Sequence, residues 1–217
     1  MQSLRWILWN LSLALIPVAA AYLLAAGVQG LTLRRRRVPW PVWLPLALVW
    51  FAFLPNTCYL LTEWRHFLFD AHFTDLRDAA ETNRILMLAV ARQGLFFLAY
   101  SGCGALCFAL SIRPIERMLR EARVPLLPWA IPFFVLTSLG VYLGLIVRLN
   151  SWDLVTRPAY VLITAFQALM NPLLLQTILS FAALLWLLYE TVDIWVDGFS
   201  ARMGRAVGQN WAQAARE

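Results

Sequence analysis

The chain has 217 residues, of which 61% are hydrophobic and 14% charged, where about a quarter charged is usual for soluble domains. It has too little polar surface to cover a water-soluble globule. All 18 basic residues are arginine and the formal net charge is +6, carried in short runs that suit a membrane surface and come with no motif or soluble basic domain for nucleic acid. The three cysteines, Cys58, Cys103 and Cys107, lie in apolar stretches and read as packing residues, not as a disulfide framework or zinc site.

A transmembrane helix needs about 20 mostly apolar residues. Five stretches qualify, which predicts an all-α polytopic transmembrane helical bundle, one membrane domain over residues 1–217. Spans are expected at about 6–30, 41–63, 85–112, 125–147 and 173–189. A cleaved signal peptide is the rival for the first, given small residues at Ala19–Ala21; the length of the run and the four arginines after it favour a span. For the third, Thr74, or Asp75 with Asp78, reads as an earlier helix start, since acidic residues favour the positive end of the helix dipole.

Pro158 to Tyr189 is uncharged and, as one straight helix, would be about 48 Å long. It must break, and Asn171-Pro172 is the expected point. Ala159–Met170 is then an interfacial or re-entrant segment before the last span.

Basic residues in short loops stay cytoplasmic. An outside N-terminus puts 11 arginines inside (Arg34–Arg37, Arg113, Arg117, Arg120, Arg123, Arg202, Arg205 and Arg216) and six outside, most of the latter beside acidic residues. Two cytoplasmic pieces look amphipathic. Ile115, Met118, Leu119 and Ala122 share one face, opposite Arg113, Arg117 and Arg120. In the tail, about 193–215, Trp195, Phe199, Met203, Val207 and Trp211 recur every four residues. Both are expected to anchor on the lipid surface, with docking of a protein partner as the tail's alternative.

Two polar clusters end the second and fourth spans. Pro55 loosens the first helix, and Asn56, Tyr59 and Glu63 follow at spacings of three and four on one face, which His66 extends. In the second, Gly140 and Gly144 allow close helix approach and Tyr142 precedes a cap of Arg148, Asn150, Ser151, Trp152 and Asp153. Both are expected at the extracytoplasmic interface. Arg92 falls in the apolar part of the third span, where a charge needs a partner, with Glu63 and Asp153 as candidates. This predicts an outward polar pocket built from these residues for a small polar or lipid head group, serving transport or lipid handling.

Two other readings stand beside it. The motifs could lock helices in a non-catalytic subunit or scaffold. A membrane-surface enzyme could use Glu63 and His66 as metal ligands with Asp70 or Asp153, or His66 as a base toward Ser151; yet a single E-x-x-H is half of what a di-iron bundle needs. No cofactor is identified: dinucleotide and P-loop fingerprints are absent, and two histidines are few for haem.

The two segments resemble an uncharacterised bacterial integral membrane family, domain of unknown function 1361, with motifs F-L-P-N-A-P-Y before an acidic residue and His, and Y-L-G-R-F-x-R-x-N-S-W-D. Here these correspond to Phe53–Tyr59 with Glu63 and His66, and to Tyr142–Gly144 with Arg148 and Asn150–Asp153. The chain departs from them at Thr57-Cys58, Glu63 and Leu145, and the likeness extends weakly through Asp75 and Gly94–Ser101. The resemblance implies a multi-pass fold in a bacterial inner membrane and no known activity.

Overall fold

The computed structural model describes residues 4–33, 39–64, 68 and 71–214. Its elements are α1 (Leu4–Leu33), α2 (Trp40–Thr62), α3 (Ala71–Ala80), α4 (Arg84–Glu121), α5 (Leu127–Leu145), α6 (Asp153–Thr156), α7 (Pro158–Met170) and α8 (Pro172–Ala214). No strand occurs among the described residues, and α1, α2, α4, α5 and α8 are long and apolar enough to cross a membrane. The molecule is an all-α polytopic bundle, as the hydropathy predicts.

Helices α1, α2 and α4 pack on one another, α5 packs on α2 and α8, and α8 also touches α4. Trp6 meets Tyr100 with ring centroids 6.2 Å apart, and at the other end Gln29 Nε2 donates to Glu121 Oε2 at 3.2 Å. So α1 and α4 run parallel. The central core joins Leu54 and Cys58 of α2, Phe108 and Ile112 of α4, Phe134 and Val141 of α5, and Leu185 and Tyr189 of α8.

Prolines interrupt these helices, and side chains from elsewhere answer them. Ser151 Oγ donates to Ala52 O at 3.1 Å, three residues before Pro55. Trp50 Nε1 donates to Ser111 O at 2.8 Å, three residues before Pro114. Both carbonyls lie in turns that a proline opens, where a polar backbone atom at membrane depth needs a partner.

Several boundaries differ from expectation. The helix carrying Thr74 and Asp75 is separate, and α4 starts instead at the cap Asn83, whose Oδ1 accepts from Ile85 N at 2.9 Å and Leu86 N at 3.4 Å. Helix α4 then continues through Pro114 to Glu121, so the expected surface helix around Ile115 is the last turns of one helix about 57 Å long. Helix α8 likewise carries the tail in line with its span, about 64 Å in all. Both pieces stay helical and continuous with their spans, the first through Pro114 and the second through Gly198, Gly204 and Gly208.

The break at Asn171-Pro172 is where the sequence puts it. Asn171 is extended and caps α8, its Oδ1 accepting from Leu173 N at 3.0 Å and Leu174 N at 3.3 Å. Helix α7 has 13 residues, about 20 Å, too short to span.

Candidate functional site

At the end of α2, Asn56 and Glu63 are each only 7% exposed and Tyr59 is half-buried. The glycine pair of α5 packs on this stretch. A Cβ at Gly140 would come within 2.7 Å of Pro55 Cγ, and one at Gly144 would fall 1.5 Å from the Tyr59 hydroxyl. The two motif helices therefore meet in parallel register, at the close approach that the glycine spacing allows.

Beyond Leu145 the chain reverses. Arg148 is exposed and takes the left-handed conformation (φ 64°), while Leu149 N donates to Leu143 O at 3.0 Å. Asp153 holds the reversal together: its Oδ2 accepts from Asn150 N at 2.7 Å and its Oδ1 from Thr156 Oγ1 at 3.4 Å. The Ser151 bond to Ala52 draws the turn back along α2, toward a level eleven residues, about 16 Å of helix, from Glu63. Asn150 is exposed, Trp152 is 55% exposed, and Tyr142 packs beside the core cluster of Leu139, Ala168 and Ile178.

Arg92 corrects the expectation of an intramembrane pair. Its side chain is exposed, and it lies eight residues, about 12 Å, before Tyr100, which already packs on the first turns of α1. Among the described residues it forms no ion pair with Glu63 or Asp153. His66 and Asp70, like Arg34–Arg37, Arg65 and Arg216, lie outside the described residues. Among the described residues no group of three or more His, Cys, Asp or Glu is placed to hold a metal ion.

A cavity of about 320 Å³ lies toward the opposite, arginine-rich end, between α2, α4, α5 and α8. Its floor is aromatic. Trp50 stacks on Phe133 at 5.9 Å, and Phe134 stacks on Trp186 at 5.9 Å. Polar groups gather on one wall: Glu116 accepts from the Tyr189 hydroxyl and from Arg120, whose Nε lies 2.9 Å from Oε1. Glu190 Oε1 accepts from Trp186 Nε1 at 3.0 Å. The mouth is flanked by Leu127 and Trp129, each about two-thirds exposed. An apolar pocket with a few converging polar groups is the usual form of a small-molecule site.

Just beyond, Arg113 is 7% exposed and joins α4 to α8. Its Nε lies 2.5 Å from Asp193 Oδ1, off hydrogen-bond alignment and so a charge contact, and Nη2 donates to Asp197 Oδ1. Arg117 also reaches Asp197, at 2.9 Å. Of the three arginines opposite the apolar face, Arg113 and Arg117 are thus answered by carboxylates of α8 and Arg120 by Glu116 of its own helix.

Sequence reasoning passed over Glu116, Tyr189, Glu190 and Trp186 as site residues. The signal was a tyrosine and a glutamate at the end of a span, but the tyrosine's partner, Glu116, lies 73 residues away on another helix.

No curated protein and no solved structure matches the chain. One family model does, described as "Protein of unknown function (DUF1361)", over residues 9–188. The match runs from α1 into α8 and takes in both polar motifs and every wall of the cavity except Tyr189 and Glu190. By that match the chain belongs to the DUF1361 family of proteins of unknown function.

Proposed function

We propose that this multi-pass membrane protein binds a lipid in the cleft between α2, α4, α5 and α8, at the cytoplasmic side of a bacterial inner membrane, with the N-terminus outside. The carrying observation is the cavity itself: an aromatic floor set inside the bundle and a polar wall at the end where the arginines cluster. That polarity matches an amphiphile with its tail toward the bilayer middle and its head at the interface. The cytoplasmic assignment rests on the arginine count in short loops.

The test uses full-length protein purified gently and examined by native mass spectrometry. Wild type is expected to retain lipid, and Ala130→Phe, which fills the cavity from α5, to lower retention at least about fivefold without loss of thermal stability. Equal retention by the folded variant would overturn the reading.

A second reading keeps the outward polar site of Asn56, Tyr59, Glu63 and His66 with Arg92 and the Tyr142–Asp153 segment, for a small or lipid head group. What favours it is the burial of Asn56 near the end of a span, since buried polar groups there are costly unless used or paired.

A further inference from the structure

We infer that the cleft selects a lipid whose head group carries an ammonium, in preference to an anionic lipid; this rests on the lipid-binding reading above. The end of the bundle is rich in arginine, which at first suggests an anionic head. The arginines are engaged, however. Arg113 and Arg117 are held by Asp193 and Asp197 and do not line the cavity. Arg120, the one guanidinium in the lining, is held by Glu116 in the same helix.

What the lining offers instead is negative and aromatic. It contains two carboxylates, Glu116 and Glu190, against that one guanidinium. Both oxygens of Glu116 are occupied, by Arg120 and Tyr189. Glu190 is exposed and accepts on Oε1 from Trp186, while its Oε2 carries no hydrogen bond among the described residues. The indole N–H of Trp186 therefore orients a carboxylate with an acceptor to spare. The rings of Trp129, Trp186 and Tyr189 stand on the same lining, and aromatic faces attract ammonium groups. The occupant is a bilayer lipid because the mouth is flanked by Leu127 and Trp129, both more than half exposed on a span helix and so facing the hydrocarbon or its edge.

The experiment titrates delipidated full-length protein with phosphatidylethanolamine and with phosphatidylglycerol of matched chains, read by native mass spectrometry. Phosphatidylethanolamine is expected to bind about fivefold more tightly. Glu190→Gln, at an exposed position, is expected to remove that preference and leave phosphatidylglycerol unchanged. Trp186→Phe, which keeps a ring but loses the N–H, is expected to weaken it in part. Equal or tighter binding of phosphatidylglycerol, or an unaltered preference in Glu190→Gln, would overturn the inference and leave the lipid site standing. Binding of neither lipid would instead remove the lipid-binding reading. Binding of a trimethylammonium detergent but not phosphatidylethanolamine would overturn the assignment to a bilayer lipid.

Discussion

Tyr189 donates its phenolic proton to Glu116, and this bond ties α8 to α4 across the head of the cavity. The same carboxylate takes Arg120 on its other oxygen. Removing the hydroxyl leaves a mostly buried carboxylate oxygen without its donor, which costs more than the bond itself contributes. Tyr189→Phe is therefore expected to lower stability by about 1–3 kcal/mol. Thermal unfolding in detergent checks this. An unchanged midpoint would mean that solvent replaces the phenol and that the wall is wetter than the geometry implies.

Arg113 makes a stronger demand. With the guanidinium gone, Asp193 and Asp197 keep their charges beside the core with only Arg117 to answer them. Breaking a buried pair from one side costs about 3–5 kcal/mol, less here because Asp197 is half-exposed. Arg113→Met is expected to destabilise by about 2–4 kcal/mol, and adding Asp193→Asn to recover part of the loss. A double variant no better than the single one would remove Asp193 as the partner that matters.

The packing of α2 on α5 has a direct chemical test. Pro55 Cβ lies 3.5 Å from where a Cβ on Gly140 would be, at the short end of the range that a disulfide spans, about 3.5–4.5 Å. With Cys58, Cys103 and Cys107 replaced, Pro55→Cys with Gly140→Cys is expected to oxidise readily to an intramolecular bridge. Mobility of the oxidised and reduced forms on a denaturing gel reads the result, and failure to bridge under strong oxidant would separate the two helices.

That contact also marks what the sequence could tell. Gly140 and Gly144 announce a close approach by spacing alone, and Asn171-Pro172 announces a break, because both effects are local to the backbone. Hydropathy gives the spans for the same reason. The cavity is different: Trp50, Glu116, Phe133 and Trp186 come from four helices, so no short window of sequence contains any two of these four. Arg92 misleads for a related reason. An apolar neighbourhood in sequence implies membrane depth only if the helix is centred on the bilayer, and α4, at 38 residues, extends well past the start of α1. Arg113 shows the converse, an arginine at the end of an apolar run that is buried because α8 brings it two carboxylates.

The turn from Asn150 to Thr156 now separates the two functional readings. Asp153 accepts from Asn150 N and Thr156 Oγ1 within its own turn, and Ser151 anchors that turn to Ala52. These bonds give both residues a structural task. Ser151→Ala and Asp153→Asn are each expected to lower stability by about 1 kcal/mol, the usual net worth of one hydrogen bond, and to leave lipid retention as in wild type. Glu190→Gln is expected to do the reverse, altering which lipid is retained with little change in stability, since Glu190 is exposed. Measuring midpoint and retained lipid on the same three preparations decides between the readings. Loss of bound lipid in Asp153→Asn at full stability would move the site to the Asn150–Thr156 turn, and the cleft near Trp186 would then be packing left incomplete between helices.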